Sequence, residues 1–361
     1  MSDPDYIVPL VIDKDTLNKN LYTYMASGDY APFDLIDNAK ILQCGFMYVP
    51  AYRFKGTYEA SWTASFGYDR QEHYTDYESR YDSDLKRTIK TPVTKTKTVT
   101  DWSPASGTDT GVFDISAYAG SSQPSEVAQI VHDMSWEAPS VYEASLLSGL
   151  SAEGIAKTGD QVYEESAQPS VNAIIDSSVR THGQGDRQQD WNWTATTSRD
   201  TTSYYLPIGF VTYKYGDKEY RYWLDAVNGS VFRADDLPVD TKRKNARLIG
   251  YIPGVITILI GAALANNGGN DAAMSMGLLA LAFGGIRHYS ILNFAKKRRQ
   301  TELAEKLSED GGEATLTEDQ KKSLSDANAK PGFFANTSND KIKIPLLTVV
   351  FVILAVLIGA S

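Results

Sequence analysis

The stretch Phe46 to Asp69, FMYVPAYRFKGTYEASWTASFGYD, decides the fold class of this chain. Aromatic and β-branched residues recur at alternate positions, which is the period of a strand and not the 3.6-residue period of a helix. Lys55 and Gly56 interrupt the alternation and read as a turn between two antiparallel strands. A second such stretch, Tyr204 to Phe232, YYLPIGFVTYKYGDKEYRYWLDAVNGSVF, reads as a hairpin turning at Gly216 and Asp217, followed by the turn signal Asn228-Gly229. The two stretches echo one another: Tyr48, Pro50, Gly56 and Trp62 in the first answer to Tyr205, Pro207, Gly216 and Trp223 in the second. An internal duplication of aromatic hairpins around 45–70 and 203–232 is one reading of that echo.

Between these stretches, Arg87 to Val99, RTIKTPVTKTKTV, alternates threonine with bases and reads as a solvated hairpin arm or a lysine-guarded edge strand. Contact of those bases with nucleic acid or with anionic headgroups is the sharper alternative. The segment from Asp101, DWSPASGTDTGVFD, carries turn chemistry that closes the sheet. Trp191 and Trp193 share a strand face. Helices are sparser. Asp13 or Asp15 caps one with Leu17, Leu21 and Met25 on one face, ended by Gly28, and Val127, Ile130, Val131 and Met134 mark another. The fold class expected is α+β, antiparallel-β-rich, followed by transmembrane α-helices.

The 361 residues divide by composition, polar and aromatic before about residue 240 and apolar in patches afterwards. Leu248 to Ala265 carries no charge and as a helix spans roughly 27 Å, close to the hydrocarbon thickness of a bilayer. Ala272 to Ile286 is a second apolar run, followed by Arg287 and His288. Ile344 to Ala360 is a third. Lys242, Arg243, Lys244 and Arg247 precede the first run, and Lys296, Lys297, Arg298 and Arg299 follow the second, while the loop between holds one acid and no base. With Arg287 these form a membrane-interface set, and the positive-inside rule places residues 1–240 in the cytosol and the C-terminus outside, in a multi-pass inner (plasma) membrane protein. The organisation expected is a cytosolic domain at 1–240, a transmembrane helical hairpin at 241–295, a solvated cytosolic connector with two short helices broken at Gly311-Gly312 at 296–343, and a C-terminal span at 344–361. Gly254 and Gly261 in the first run, and Gly277 and Gly284 in the second, recur seven apart and offer small-residue stripes for helix packing.

Chemistry is thinly marked. A formal net charge of −10 argues against nucleic acid as a partner, since no basic face is available to neutralise phosphates. Cys44 is the only cysteine, so neither an internal disulfide nor a thiolate metal site is available. Phosphate-binding, dinucleotide, zinc-protease and serine-elbow motifs are absent from the sequence. The aromatic run Tyr68 to Tyr81 interleaves Glu72, His73 and Asp76, the only catalytic candidates; alternation along a strand makes them one buried and one wet face of a hairpin, whereas their convergence in a pocket would suit an enzyme. His132 lies among core positions and reads as a rim histidine, and His182 reads as part of a mobile turn. No cofactor or metal is expected.

The blocks YIVPLVIDKDTLNKNLYTYMASGDYAPFDLIDNAKI, LQCGFMYVPAYRFKGTYEASWTASFGYDR, TVTDWSPASGTDTGVFD and SVYEASLLSGLSAEGI, followed by the Tyr204–Phe232 stretch, resemble successive blocks of a bacterial family of membrane-bound proteins. Members usually begin with a zinc ribbon, and some are encoded beside phage-shock and flotillin-like genes. This chain departs from that pattern by lacking the cysteines of the ribbon. None of the resembling blocks is catalytic. The resemblance implies a non-enzymatic interaction or scaffold subunit at the membrane, in an envelope-stress or membrane-organising complex. Its partners would be the bilayer and other membrane-associated proteins, and a homo-oligomer is compatible with it. A membrane-bound enzyme and a subunit of an oligomeric channel or transporter are the alternatives.

Overall fold

The computed structural model describes residues 3–82, 87–147, 149–241, 244–245, 251–252, 254–256, 258–259, 272–311 and 318. Most of the first apolar run and all of the third lie outside these residues, as do Lys242, Arg243, Arg247 and Gly261. In chain order the elements are β1 (Tyr6–Ile7), α1 (Lys14–Ser27), α2 (Leu35–Asn38), β2 (Lys40–Asp82), β3 (Arg87–Tyr118) and α3 (Ser125–Asp133). There follow β4 (Ser140–Val141), β5 (Ser151–Ala152), α4 (Gly159–Val162), α5 (Gln168–Arg180), β6 (Arg187–Tyr215), β7 (Lys218–Asp225), β8 (Phe232–Ala234) and α6 (Ala272–Gly311). A π-helical turn, Tyr163–Ala167, joins α4 to α5. The protein is therefore α+β and sheet-rich.

The chain forms two compact units, one of residues 1–9 and 48–206 and the other of residues 10–47 and 207–361. In the first, the strand order is β3-β2-β6-β1-β4, with β5 also on β2. β1 runs parallel to β6 and antiparallel to β4. β2 and β3 pair antiparallel without a skipped residue from Ala51↔Tyr118 to Asp82↔Arg87. Alternation sorts the faces: Phe54, Tyr58, Ala60, Trp62, Ala64 and Phe66 are buried with Phe113, Ile115 and Ala117 of β3. Tyr163 and Ala167 of the π turn, and Val171, Ile175 and Val179 of α5, cover them. Burial of each large side chain in this layer contributes about 1.5–3 kcal/mol. The opposite face of β2 (Lys55, Thr57, Glu59, Ser61, Thr63) is exposed.

Two turns expected from sequence are strand interior instead. Lys55 and Gly56 lie in mid-β2, and the segment from Asp101 is continuous β3. The reason is visible across the ladder, where Gly56 faces Phe113, Gly111 faces Tyr58, Gly107 faces Trp62 and Gly67 faces Trp102. The rings of Tyr58 and Trp62 lie over Gly111 and Gly107, close enough that a Cβ there would meet ring atoms at 2.6 and 2.7 Å. Each glycine thus makes room for an aromatic ring from the neighbouring strand, which is why it stands in a strand and not in a turn. The two echoing aromatic stretches also differ in form: 45–70 lies within β2, whereas 203–232 folds through β6, β7 and β8.

In the second unit Asp13 caps α1, its carboxylate accepting from Thr16 N at 2.8 Å. Leu17, Leu21 and Met25 of α1 are buried with Val211, Tyr213, Tyr222 and Leu224 of the β6–β7 hairpin. That hairpin turns at Gly216, whose φ of +61° favours glycine. Leu303, Ala304 and Leu307 of α6 complete the core. α6 runs unbroken through residue 296, so the start of the expected connector is the second half of a 40-residue helix docked on α1 and α2.

Candidate functional site

The longest exposed feature of the first unit is the far end of the β2–β3 ribbon. β6 begins beside Gly67, where Asp186 N donates to Gly67 O at 2.8 Å and Asp69 N donates to the Asp186 carboxylate at 2.9 Å. Beyond Asp69 the ribbon continues as two strands to Asp82 and Arg87, roughly 45 Å at ~3.3 Å per residue. One face of this arm is an ion ladder. Lys97 pairs with Glu72 at 3.2 Å, Lys95 with Asp76 at 2.7 Å and Glu78 at 3.5 Å, and Arg70 with Asp101 at 2.7 Å. The Lys95 ammonium, by its hydrogen bond, holds the Asp76 carboxyl below its ordinary value, and Asp76 in turn raises Lys95. The other face is uncharged from Gln71 to Tyr77 and from Pro92 to Thr98, with Lys90 further out: Thr96 Oγ1 lies 3.0 Å from His73 Nδ1, and Gln71 donates to Thr98 at 3.3 Å. Tyr74 and Tyr77 are exposed on the arm, and Tyr68 and Trp102 at its base.

Glu72, His73 and Asp76 therefore do not converge. Strand alternation puts Glu72 and Asp76 on one face and His73 on the other, and each is engaged by its own cross-strand neighbour. Among the described residues no three His, Cys, Asp or Glu side chains are grouped to hold a metal ion. Of the bases that the sequence set apart on β3, Lys95 and Lys97 face the carboxylates of β2.

Folding does bring a serine, a histidine and an aspartate together elsewhere. His182 Nε2 lies 3.1 Å from Asp109 Oδ1, Tyr58 OH donates to Asp109 Oδ2 at 3.1 Å, and the Ser178 hydroxyl also bonds this carboxylate. Burial opposes ionisation of Asp109, but these hydrogen bonds outweigh it and hold the carboxyl low. A hydrolytic triad needs the serine on the imidazole and the carboxylate behind it. Here serine and imidazole both address the carboxylate, and His182 stacks on Trp62 at 5.5 Å between ring centroids. The cluster ties the end of α5 to β3, so His182 is anchored, contrary to its reading as a mobile turn.

An open cleft of about 430 Å³ in the first unit is lined by Ser116, Tyr118, His132, Lys157 and Ser170, among others. His132 Nδ1 lies 3.3 Å from Ser116 O, so it is a rim histidine as expected. Lys157 is paired with Glu165 at 2.5 Å. Beside the cleft, Glu153 accepts from Tyr118 OH at 2.6 Å and from Ser121 N and Ser122 N at 2.8 and 2.7 Å. Burial, then the Glu153 carboxylate, pushes the Tyr118 phenol well up, so it stays a proton donor. These bonds brace a loop, and the cleft pairs no nucleophile with a base.

In the second unit, Tyr251 and Gly254 of the described helical residues 251–252, 254–256 and 258–259 lie against Gly285 and Leu281 of α6. A Cβ on Gly254 would lie 2.8 Å from Leu281 N, so this glycine permits the close backbone approach that its spacing suggested. Gly284 is buried. The large apolar side chains point the other way: Ile252, Val255, Leu259, Leu278, Leu279 and Ile286 are exposed. Among the described residues no helix is long and apolar enough to cross a membrane. Lys244, Lys296, Lys297 and Arg298 are exposed, as an interface set requires. Arg299 is not: it is 1% exposed, its Nε donating to Ala26 O at 3.2 Å and its Nη1 to Ala31 O at 3.3 Å. The spacing of Ala295, Arg299, Leu303 and Leu307 along one helical face was the signal for this burial, hidden by the run of bases around it.

Glu302, one turn on, is buried with one carboxylate oxygen facing Arg298 Nε at 3.1 Å and the other without a partner. Burial raises its pKa from 4.5 to about 7. Between those values the folded chain keeps a proton that the unfolded chain releases, so stability is lost as pH rises from 4.5 towards 7. Glu302→Gln is expected to raise stability at pH 8 by about 1–3 kcal/mol and to change little at pH 5. Thermal melts of the two proteins at both pH values check this, and equal gains at both would refute it.

No protein-family model, curated protein or solved structure matches this chain.

Proposed function

We propose that this protein is a non-enzymatic interaction subunit held at the bacterial inner membrane, its residues 1–240 on the cytosolic side. The observation that carries the interaction role is the arm, a ribbon of roughly 45 Å beyond the third strand that buries no core of its own. Such a ribbon is marginal by itself, and its exposed Tyr74 and Tyr77, with Trp102 at its base, suit a partner surface. Anchoring is supported by the described residues of 251–252, 254–256 and 258–259 with those of α6, where Gly254 and Gly284 turn inward while Ile252, Val255, Leu259, Leu278, Leu279 and Ile286 are exposed, the reverse of a water-soluble pair. Exposed Lys296, Lys297 and Arg298 follow where the headgroups would lie. The runs 248–265 and 344–360 complete the proposed multi-pass anchor, and the resemblance of the sequence blocks supports a setting in an envelope-stress or membrane-organising complex.

The test is a chain in which residues 70–99 are replaced by a short turn. Membrane fractionation is expected to be unchanged, while proteins crosslinked to the chain in native membranes are lost. Retention of the same crosslinked set by the armless chain overturns the role given to the arm.

A further inference from the structure

We infer that the arm pairs with a second copy of this chain along the free edge of β3, in an antiparallel register centred on Thr98. The inference rests on reading the arm as a contact surface and names its occupant.

β3 is the outermost strand, and among the described residues its only strand partner is β2. Its register with β2 is unbroken, so each position keeps one orientation along the whole strand. Pro92 and Pro104 have no N–H, and an interior ladder position would leave a carbonyl of β2 without its donor. Both prolines stand at even positions. The odd position Ala119 supplies the independent check, its N–H donating to Pro50 O at 2.8 Å in the same register. Odd residues of β3 thus face β2, and even residues direct their N–H and C=O groups outward. Between the prolines the outward set is Thr94, Thr96, Thr98, Thr100 and Trp102.

The prolines are equidistant from Thr98. A second copy lying antiparallel about Thr98 sets Thr96 opposite Thr100, Thr94 opposite Trp102, and Pro92 opposite Pro104. The prolines then close both ends of a window of about ten main-chain hydrogen bonds. Cross-strand pairs on the neutral face are mainly threonine on threonine, which are favourable neighbours. On the charged face the same register sets Lys95 of one copy opposite Asp101 of the other. Lysines usually guard an open edge, but Lys95 and Lys97 are drawn onto the carboxylates of their own β2 at 2.7 and 3.2 Å. The edge between the prolines is left open to pairing.

Thr98→Cys in a Cys44→Ser background tests this in native membranes, because directly opposed residues at a Cα spacing of ~5.5 Å fall within disulfide reach. On oxidation it is expected to give about tenfold more covalent homodimer than Thr108→Cys, whose counterparts lie far apart in this register. Lys95→Cys with Asp101→Cys is expected to crosslink between copies as well. Adding Thr98→Pro abolishes that crosslink while sparing the β2–β3 ladder, since the lost N–H points outward. Homodimer from Thr98→Cys no greater than from Thr108→Cys overturns the inference. Capture of a different protein at Thr98→Cys, with no homodimer, also overturns it and leaves the arm's interaction role standing.

Discussion

Replacing Arg299 with alanine is expected to loosen the second unit by about 3 kcal/mol, from the loss of charge-assisted hydrogen bonds and of buried volume. The structural reason begins at α1, which has no basic residue in its last turn. The last carbonyls of a helix have no intrahelical donor and carry the negative end of its dipole. Arg299 reaches across from α6 and donates to Ala26 O, in that last turn, and to Ala31 O beyond it. One planar guanidinium thereby fastens the end of α1, the following loop and α6. Arg299→Lys is expected to recover only part of the loss, because an ammonium lacks the fork that addresses both carbonyls. Lys297→Ala, two residues away and exposed, is expected to change stability by less than about 0.5 kcal/mol. Hydrogen exchange of the α1 amides in the full chain, held in mild detergent, reads all three. Unchanged protection of α1 in Arg299→Ala would refute the role.

Gly56→Ala is expected to destabilise the first unit by about 3–5 kcal/mol, an overpacking cost at the upper end of the usual range. A Cβ there would lie 2.1 Å from Ser198 O, 2.6 Å from the Phe113 ring and 3.0 Å from Arg199 Cα. The ring can turn aside, but the backbone of β6 cannot move without pulling its own ladder apart. Gly107→Ala meets only the indole of Trp62, at 2.7 and 2.9 Å, and is expected to cost about 1–2 kcal/mol as that side chain shifts. The double variant Gly56→Ala/Phe113→Leu tests the cause, since it relieves the ring and leaves the backbone clash. Urea unfolding followed by tryptophan fluorescence distinguishes the outcomes. Equal costs for Gly56→Ala and Gly107→Ala, or full rescue by Phe113→Leu, would show that the backbone of β6 is not the obstacle.

Much of the fold was legible because its signals are local. The helix at Leu17, Leu21 and Met25, the cap at Asp13, the buried face of Val127, Ile130 and Val131, and the turn at Gly216 each depend on residues within a few positions of one another. The reading of 87–99 as an exposed edge or arm also rested on a local pattern, threonine alternating with lysine. Glycine was misread at Gly56, Gly107 and Gly111 because its local meaning is a turn, whereas here its neighbour across the ladder is an aromatic ring from a distant strand. For Glu72, His73 and Asp76 the period of a strand was the better guide: alternation favours two faces over one pocket, and the register with β3 sends His73 away from Glu72 and Asp76.

By itself the sequence determined the α+β class, the apolar stripes of α1 and α3 and the position of the hairpin turn at Gly216. It also showed that the chain carries no familiar catalytic motif. These follow from periodicity and backbone preference, which act over a few residues. Only the tertiary structure decided that β2 and β3 form one unbroken ribbon, that Arg299 is an interior clasp among exposed bases, and that the outward edge of β3 is bracketed by Pro92 and Pro104. Those depend on register and on which residue lies opposite which, and an opposite neighbour sixty residues away leaves no mark on the local pattern.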